Sequence, residues 1–309
     1  MKAIYFEQFG GPEVLRYGGL PDPSAAAGQV LVDVHAASIN AADWKFRSGN
    51  YPRHADAKPP FIPGRDFSGV VSAVGAGVTD LKAGDAVFGV LEGGREGTYC
   101  EKLAITAAII AKKPDALSHV NAAALALTGL TAIDSVENTL KLKRGETILI
   151  QGGAGGVAGF AIQFAKHIGA HVITTTSPAN RDYVKSLGAD EVIDYTAQDF
   201  TKIVSGVDAV FDTVGGDVAD KCFTVLKPGG RAAFIASGME APKSPRGDVT
   251  SLRPKVARAR APLEQTAQLF AAGAIRVPEI KLYPLSEAME AHRLSQSRHF
   301  RGKLILKVR

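Results

Sequence analysis

The sequence predicts an α/β protein of two domains: an irregular, mostly antiparallel β domain built from both chain ends, and a doubly wound parallel sheet inserted into it. Three observations carry this prediction. The 309 residues exceed one typical core and fall short of three. From Thr147 onward, apolar runs that read as buried strands alternate regularly with segments of helical period. Over the first 110 residues, short alternating runs are broken by glycine and proline with little helical period between them. The pattern divides the chain into a β domain of residues 1–122 and 263–309 and a wound domain of residues 123–262.

Taken in order, "QVLVDVHAAS" (29–38), "SGVVSAV" (68–74) and "DAVFGV" (85–90) are the strands of the β domain. The wound sheet follows with "TILIQ" (147–151), "HVITTT" (171–176), "DEVIDY" (190–195), "DAVFDT" (208–213) and "RAAFIAS" (231–237). Between the first two, Val157, Phe160, Ala161, Phe164, Ala165 and Ile168 fall on one stripe, the spacing by which a helix covers a sheet face. "LKPGG" (226–230) is expected to close a later helix. Residues 277–308 give a strand, a helix and a final strand that do not extend the wound sheet naturally and are expected to fold back onto the first domain.

The composition excludes several classes. Hydrophobic residues make up 46% and charged residues 22%, which argues against disorder. The net charge is +5, and its one concentration is "RGDVTSLRPKVARAR" (246–260), read as a solvated face, a contact for small-ligand phosphates or a crowded dimer edge; no nucleic-acid partner is expected. Two cysteines far apart, Cys100 and Cys222, build neither a disulfide framework nor a thiolate metal knot, and suit a reducing compartment. "MKAIYFEQFG" has no leader pattern, and the longest apolar run, "LAITAAIIA" (103–111), is far below spanning length, so a cytoplasmic protein with no membrane partner is expected.

The chemistry starts at "GGAGGVA" (152–158). Gly153, Gly155 and Ala158 fit G-x-G-x-x-[G/A] directly after a strand and at the opening of a helix. The first glycine is expected to permit the tight turn, the second to let a pyrophosphate approach the backbone, and Ala158 to let helix and strand pack closely. The N–H groups of Gly155, Gly156 and Val157, in a loop that also holds Ala154, are expected to point freely at the phosphates. A carboxylate about twenty residues on would hold the ribose 2′-hydroxyl of NAD. This chain has instead "TTTSPANR", where Ser177, Asn180 and Arg181 offer donors to a 2′-phosphate, so the expected cofactor is NADPH.

Several ordered motifs together resemble the zinc-independent quinone oxidoreductase branch of the medium-chain dehydrogenase/reductase superfamily. They are "SINAADWKFRSG" (38–49), "PGRDFSGVVSAVGAGV" (63–78), "GDAVFG" (84–89), "ALTGLTA" (126–132), "GGAGGVA", "LGADEVIDY" (187–195), "DTVGGD" (212–217), "LKPGGR" (226–231) and "RGKLILKV" (301–308). The resemblance implies a GroES-like β domain from both chain ends, a Rossmann domain between them, NADPH with its nicotinamide facing an acceptor, and a homodimer paired through Rossmann edge strands. It implies that Asn40 and Tyr51 line the acceptor pocket, Asn40 as an orienting polar group and Tyr51 as a wall or weak donor. Where familiar quinone reductases carry a tyrosine this chain has Lys45, a candidate oxyanion stabiliser. Thr131 matches a position near the nicotinamide, Tyr195 one near the adenine ribose phosphate, and Arg298 a basic contact from the returning terminus. Thr213, Val214, Gly215 and Ser237 lie at carboxyl ends of strands, where ligands collect. The places that hold a catalytic zinc in alcohol dehydrogenase relatives read Asn40 and Arg65-Asp66, so no metal is expected.

Without a Lewis acid to stabilise an alkoxide, simple alcohol oxidation is a poor proposal, whereas hydride transfer to a quinone or to the activated double bond of an α,β-unsaturated carbonyl spreads charge onto a conjugated oxygen. The expected enzyme is therefore an NADPH-dependent quinone or enone oxidoreductase. Two other readings stay open: a non-catalytic NADPH-binding redox sensor or regulatory protein, and an enoyl-thioester reductase, for which the 246–260 run would receive a phosphopantetheine arm.

Overall fold

The computed structural model describes residues 1–51 and 58–309. Two compact units divide the chain, one of residues 1–127, 258–271 and 279–309, the other of residues 128–257 and 272–278.

The chain opens with β1 (Lys2–Tyr5) and β2 (Arg16–Gly19), an antiparallel pair. Next come β3 (Gln29–Ile39), helix α1 (Ala41–Arg47), β4 (Asp66–Val74), β5 (Ala86–Val90), β6 (Lys102–Thr106), β7 (Ile110–Lys112) and α2 (His119–Ile133). The second unit follows with β8 (Thr147–Ile150), α3 (Gly156–Ile168), β9 (His171–Thr176), α4 (Arg181–Ser186), β10 (Glu191–Asp194), β11 (Val207–Asp212), α5 (Asp217–Cys222), β12 (Leu226–Phe234) and β13 (Thr250–Leu252). Last come α6 (Arg260–Ala271), β14 (Ile280–Pro284), α7 (Ala288–Ser297) and β15 (Lys303–Lys307).

In the first unit the sheet runs β14-β15-β3-β4-β5-β7, with β6 also paired to β3. Every pairing is antiparallel except β14 with β15. β3 is the hub, and the alternation of "QVLVDV" buries Val30, Val32 and Val34 fully. β15 lies along β3 with Leu304 opposite Ile39, which brings Lys303 beside the start of α1. Gly302 permits the close start of β15 against β14: its φ is +72°, and a Cβ there would sit 2.0 Å from the Glu279 carbonyl oxygen. Phe6, Phe46 and Phe61 form an aromatic knot with ring centroids 5.3–5.7 Å apart.

The second unit is a six-stranded parallel sheet in the order β10-β9-β8-β11-β12-β13, so the winding reverses between β8 and β11. The fold is thus α/β, with a GroES-like β unit and a Rossmann sheet. Two local expectations differ from what forms. Residues Ala158–Ala165 of α3 are all buried, while Val157 and Ile168 are half-buried, so the helix is covered on more than its sheet-facing stripe. One reason is Gln163, whose amide bonds both the N–H and the carbonyl of Arg276 from the same unit. "LKPGG" does not close a helix; it opens β12, with a register shift against β11, and the preceding helical turns end at Val225. Among the described residues no helix is long and apolar enough to cross a membrane.

The basic run is not a solvated face. Arg246 grips Asp248 and the carbonyls of Phe223 and Leu226, Arg253 donates to the Phe234 carbonyl, and Arg260 donates to the carbonyls of Ala107 and Ile110.

His292 is fully buried, with Nδ1 3.1 Å from the buried Arg47 guanidinium, and Tyr99 packs edge-on against its ring. Arginine only donates, so Nδ1 accepts and the proton sits on Nε2. Burial, with Arg47 adding to it, pushes the imidazole down to about 3. The folded state therefore binds fewer protons than the unfolded state, and stability falls as pH drops below 6.5 toward 3. Between pH 6.5 and 5 this group alone should cost about 2 kcal/mol; urea melts of wild type and His292→Gln at both pH values should show that loss reduced in the variant.

Candidate functional site

In the second unit the turn after β8 is built differently from the motif's usual reading. The left-handed residue is Gly152, with φ +74°, one position before the motif. Gly153 is demanded by packing, since a Cβ there would lie 2.3 Å from Thr174 Oγ1 on β9. The loop is pinned by Gly152 N–H to Thr175 Oγ1 at 3.1 Å and Gly153 N–H to the Thr175 carbonyl at 2.9 Å. The Gly155 N–H is not free, because it donates to the Gly152 carbonyl at 3.0 Å. Gly155 caps α3, and the N–H groups of Gly156, Val157 and Ala158 occupy the first turn, where no helical carbonyl can receive them. A Cβ at Gly155 would meet only Gly152 O, at 3.4 Å. That position therefore owes its glycine to nothing in the chain itself, and fits a pyrophosphate lying against the backbone.

Around the loop, Ser177 follows β9 and accepts from Asn180 Nδ2 at 3.1 Å. Arg181 is exposed at the start of α4 and donates a long bond of 3.4 Å to the Val192 carbonyl. Tyr195, 58% exposed, follows β10. Thr213, Val214 and Gly215 follow β11, but their donors are used internally: Thr213 Oγ1 bonds the Gln151 carbonyl, and the N–H groups of Val214 and Gly215 bond the buried Asp212 carboxylate. Burial raises the Asp212 pKa despite those bonds. Ser237, beyond the end of β12, has a buried Oγ with no hydrogen-bond partner among the described residues. Thr131 is buried on α2, where its carbonyl accepts from Ser135 Oγ. In the first unit, Arg298 is exposed at the end of α7 with φ +60°.

The first unit holds a buried network of charges. Asn40 precedes α1, and its N–H bonds Asp43 Oδ2 at 2.8 Å. Its side-chain amide is engaged at both ends: Nδ2 donates to Asp66 Oδ1 at 2.7 Å and to the Ser38 carbonyl at 3.3 Å, while Oδ1 accepts from Lys303 Nζ at 2.9 Å. Lys303 also bonds the Ile39 carbonyl at 2.8 Å and is 5% exposed. Asp43 accepts from Tyr99 Oη at 2.6 Å, and Arg65 bonds Glu96 at 2.5 Å and lies 3.7 Å from Asp43. The Arg65 guanidinium stacks 4.3 Å from the centre of the half-buried Tyr51 ring. Arg258 faces Arg65, Asp66, Tyr51 and Glu96, and its Nη1 is buried with no hydrogen-bond partner among the described residues.

Burial dominates the titration here. It pushes the carboxyls of Asp43 to about 6 and Glu96 to about 8 and raises Asp66, while Arg65 and Lys303 pull the other way. It also lowers Lys303 and brings Arg258 down to about 10. Burial works against Arg65 too, yet Glu96 and Asp43 hold its pKa above the ordinary value.

The structure thus places Tyr51 and Asn40 on one network. Lys45 sits on α1 with its ammonium 5.7 Å from the Trp44 ring centre. Asn40 is a hub of internal bonds, where sequence reasoning expected an orienting group facing the acceptor. Sequence reasoning missed Lys303, Asp43, Glu96, Tyr99 and Arg258. The signal was a charged residue beside an apolar run, as in "GKLILKV". These residues do not fit a zinc ion. The oxygen donors of Asn40 and Asp66 are already taken by an ammonium and an amide, and no cluster of three or more His, Cys, Asp or Glu with metal-site geometry occurs among the described residues.

Residues 26–115 match the alcohol dehydrogenase GroES-like domain, and residues 187–306 match the family described as zinc-binding dehydrogenase. Among curated proteins, the 2-methylene-furan-3-one reductase of Solanum lycopersicum is 37% identical over 81% of this chain and 66% of its own length. The NADPH-dependent alkenal/one oxidoreductase of Arabidopsis thaliana is 36% identical over 78% of this chain and 64% of its own. The chain thus spans about two thirds of the length of those two relatives. It matches 98% of the chloroplast envelope quinone oxidoreductase homolog of Arabidopsis thaliana, at 32% identity over 99% of this chain. Among solved structures, the Escherichia coli quinone oxidoreductase complexed with NADPH superposes with a TM-score of 0.91 at 30% identity, over all of both chains. The chain belongs to the quinone oxidoreductase branch of the medium-chain dehydrogenase/reductase superfamily.

The two loop glycines should separate in experiment. Gly155→Ala should leave the urea midpoint nearly unchanged but weaken dinucleotide binding at least ~10-fold, about 1.4 kcal/mol. Gly153→Ala should lower stability by about 1–3 kcal/mol through overpacking against Thr174. Titration calorimetry and urea melts read both.

Proposed function

We propose that this chain is an NADPH-dependent oxidoreductase that transfers hydride to a quinone or to the activated double bond of an α,β-unsaturated carbonyl, without zinc. The observation that carries the reading is the β8–α3 turn, whose Gly155 no packing contact requires, together with the segment after β9, which carries Ser177, Asn180 and Arg181 where NAD would need a carboxylate. The relatives named for NADPH-dependent alkenal reduction and for quinone reduction support the same assignment.

Bound NADPH would supply the hydride. The first-turn N–H groups of α3, with Ala154 and Gly153 below them, would hold the pyrophosphate, and Arg181 and Tyr195 would hold the adenosine phosphate. Within the second unit Thr131, Thr213, Val214 and Gly215 would complete the cofactor contacts, and Ser237 would find in the cofactor the partner its Oγ lacks among the described residues. On the acceptor side, Tyr51 held on Arg65 forms a wall, Asn40 a fixed polar floor, and Lys45 a candidate stabiliser of the developing oxyanion. Holding nicotinamide and acceptor in line accounts for most of the rate, and the proton comes from solvent or from a modest donor such as Tyr51. We further propose a homodimer paired through the edge strand β13, and residence in the cytoplasm, where the two buried free cysteines stay reduced.

A non-catalytic NADPH-binding protein is the second reading, favoured by the internal engagement of the Asn40 amide. The enoyl-thioester reading loses its support, because Arg246, Arg253 and Arg260 of the basic run are bonded to backbone carbonyls.

Absorbance of NADPH should fall when the protein meets a panel of quinones, enals and enones. Tight NADPH binding with no acceptor consumed would favour the second reading. Arg181→Ala should weaken NADPH about 10-fold while leaving NADH within about 2-fold, a charge-assisted phosphate contact being worth roughly 1.4 kcal/mol or more; equal weakening would show that Arg181 does not read the 2′-phosphate.

A further inference from the structure

We propose that Lys303 is a positioning residue for the reaction: a built-in cation that fixes the Asn40 side-chain amide, and through it the polar floor beneath the acceptor. The inference rests on the acceptor-side reading of Asn40 given above. It goes beyond that reading by naming the group that sets the amide's orientation.

Four observations carry it. Lys303 is 5% exposed, and its ammonium donates to the Asn40 Oδ1 and to the Ile39 carbonyl, at 2.9 and 2.8 Å. An ammonium has only donors, so it dictates that the oxygen end of the amide points toward it. The nitrogen end is then forced toward Asp66 Oδ1, 2.7 Å away, and the Ser38 carbonyl. Asp66 is itself fully buried, and its second oxygen accepts the Leu127 N–H at 3.3 Å. The amide is therefore clamped between a cation and an anion, and a flipped amide would set NH₂ against NH₃⁺ and oxygen against carboxylate.

The clamp is delivered from far along the sequence by the pairing of β15 with β3. The Asn40 backbone continues the restraint, because its N–H is held by Asp43, whose other partners are Tyr99 and Arg65. Arg65 carries the Tyr51 ring. A shift of the amide would thus be felt at both acceptor-side residues.

Two variants separate positioning from mere charge balance. Lys303→Met leaves Asp66 uncompensated, whereas Lys303→Met/Asp66→Asn removes both charges and keeps an oxygen to accept from Asn40 Nδ2. We expect the double variant to recover most of the thermal stability lost in the single one while kcat for a 2-alkenal or a benzoquinone stays at least ~10-fold below wild type, with NADPH affinity within ~2-fold. Recovery of wild-type kcat in the double variant would overturn the proposal, and so would a folded Lys303→Met with unchanged kcat.

An arm that needs no acceptor keeps this test distinct from the proposed function. In asparagine-labelled protein, the Asn40 side-chain NH₂ pair, identified by its loss in Asn40→Asp, should exchange slowly in wild type and at least ~10-fold faster in the double variant. Equal exchange in the two would overturn the proposal whether or not wild type reduces any acceptor.

Discussion

A charged side chain leaves water only against a partner of opposite sign or a full set of hydrogen bonds, and this constraint organises the first unit of the molecule. Asp43, Asp66 and Glu96 are buried together with Arg65, Arg258 and Lys303, three carboxyl groups against three basic groups. The members come from α1, the start of β4, the loop after β5, the segment before α6, and β15, so the pairing is satisfied only when the β unit has closed its sheet with the returning C-terminal strand. Charge balance and topology are thus one requirement. Its functional consequence is rigidity: Asn40 and Tyr51 are held by groups that have themselves no freedom to relax.

The cofactor half works by another economy. There the key positions are places where side chains are missing. Gly153 is small because Thr174 of β9 lies against it, Gly152 because the backbone turns through a left-handed conformation, and Gly155 for no internal reason. Two of the glycines serve the fold, and the third is required by no contact within it. The same division runs through the other edge residues. Thr213, Val214 and Gly215 spend their donors on the chain's own turn, whereas Ser237 keeps a buried hydroxyl that has no partner among the described residues.

The Rossmann half was legible because each of its elements carries its own local signal. Runs such as "TILIQ" and "HVITTT" became β8 and β9 within a residue of their ends. "LKPGG" misled because proline and glycine usually end helices, while here they accommodate a bulge at the start of β12, a sheet-level feature with no local signature. The glycine motif identified the loop but not the division of labour within it, since that depends on Thr174, two strands' worth of chain away. Least legible was the charge network. Asn40, Asp66 and Lys303 are separated by up to 263 residues, and only the registers of β4 and β15 on β3 make them neighbours. A sequence shows that Lys303 precedes an apolar strand, but not which amide it will face.

The account's central claim is that the turn between β8 and α3, with the end of β9, holds the dinucleotide. Hydrogen–deuterium exchange of the full chain with and without saturating NADPH tests it most directly. Slower exchange confined chiefly to residues 152–158 and 177–181 is the predicted result. Unchanged exchange at 152–158 in the presence of bound NADPH would contradict the account.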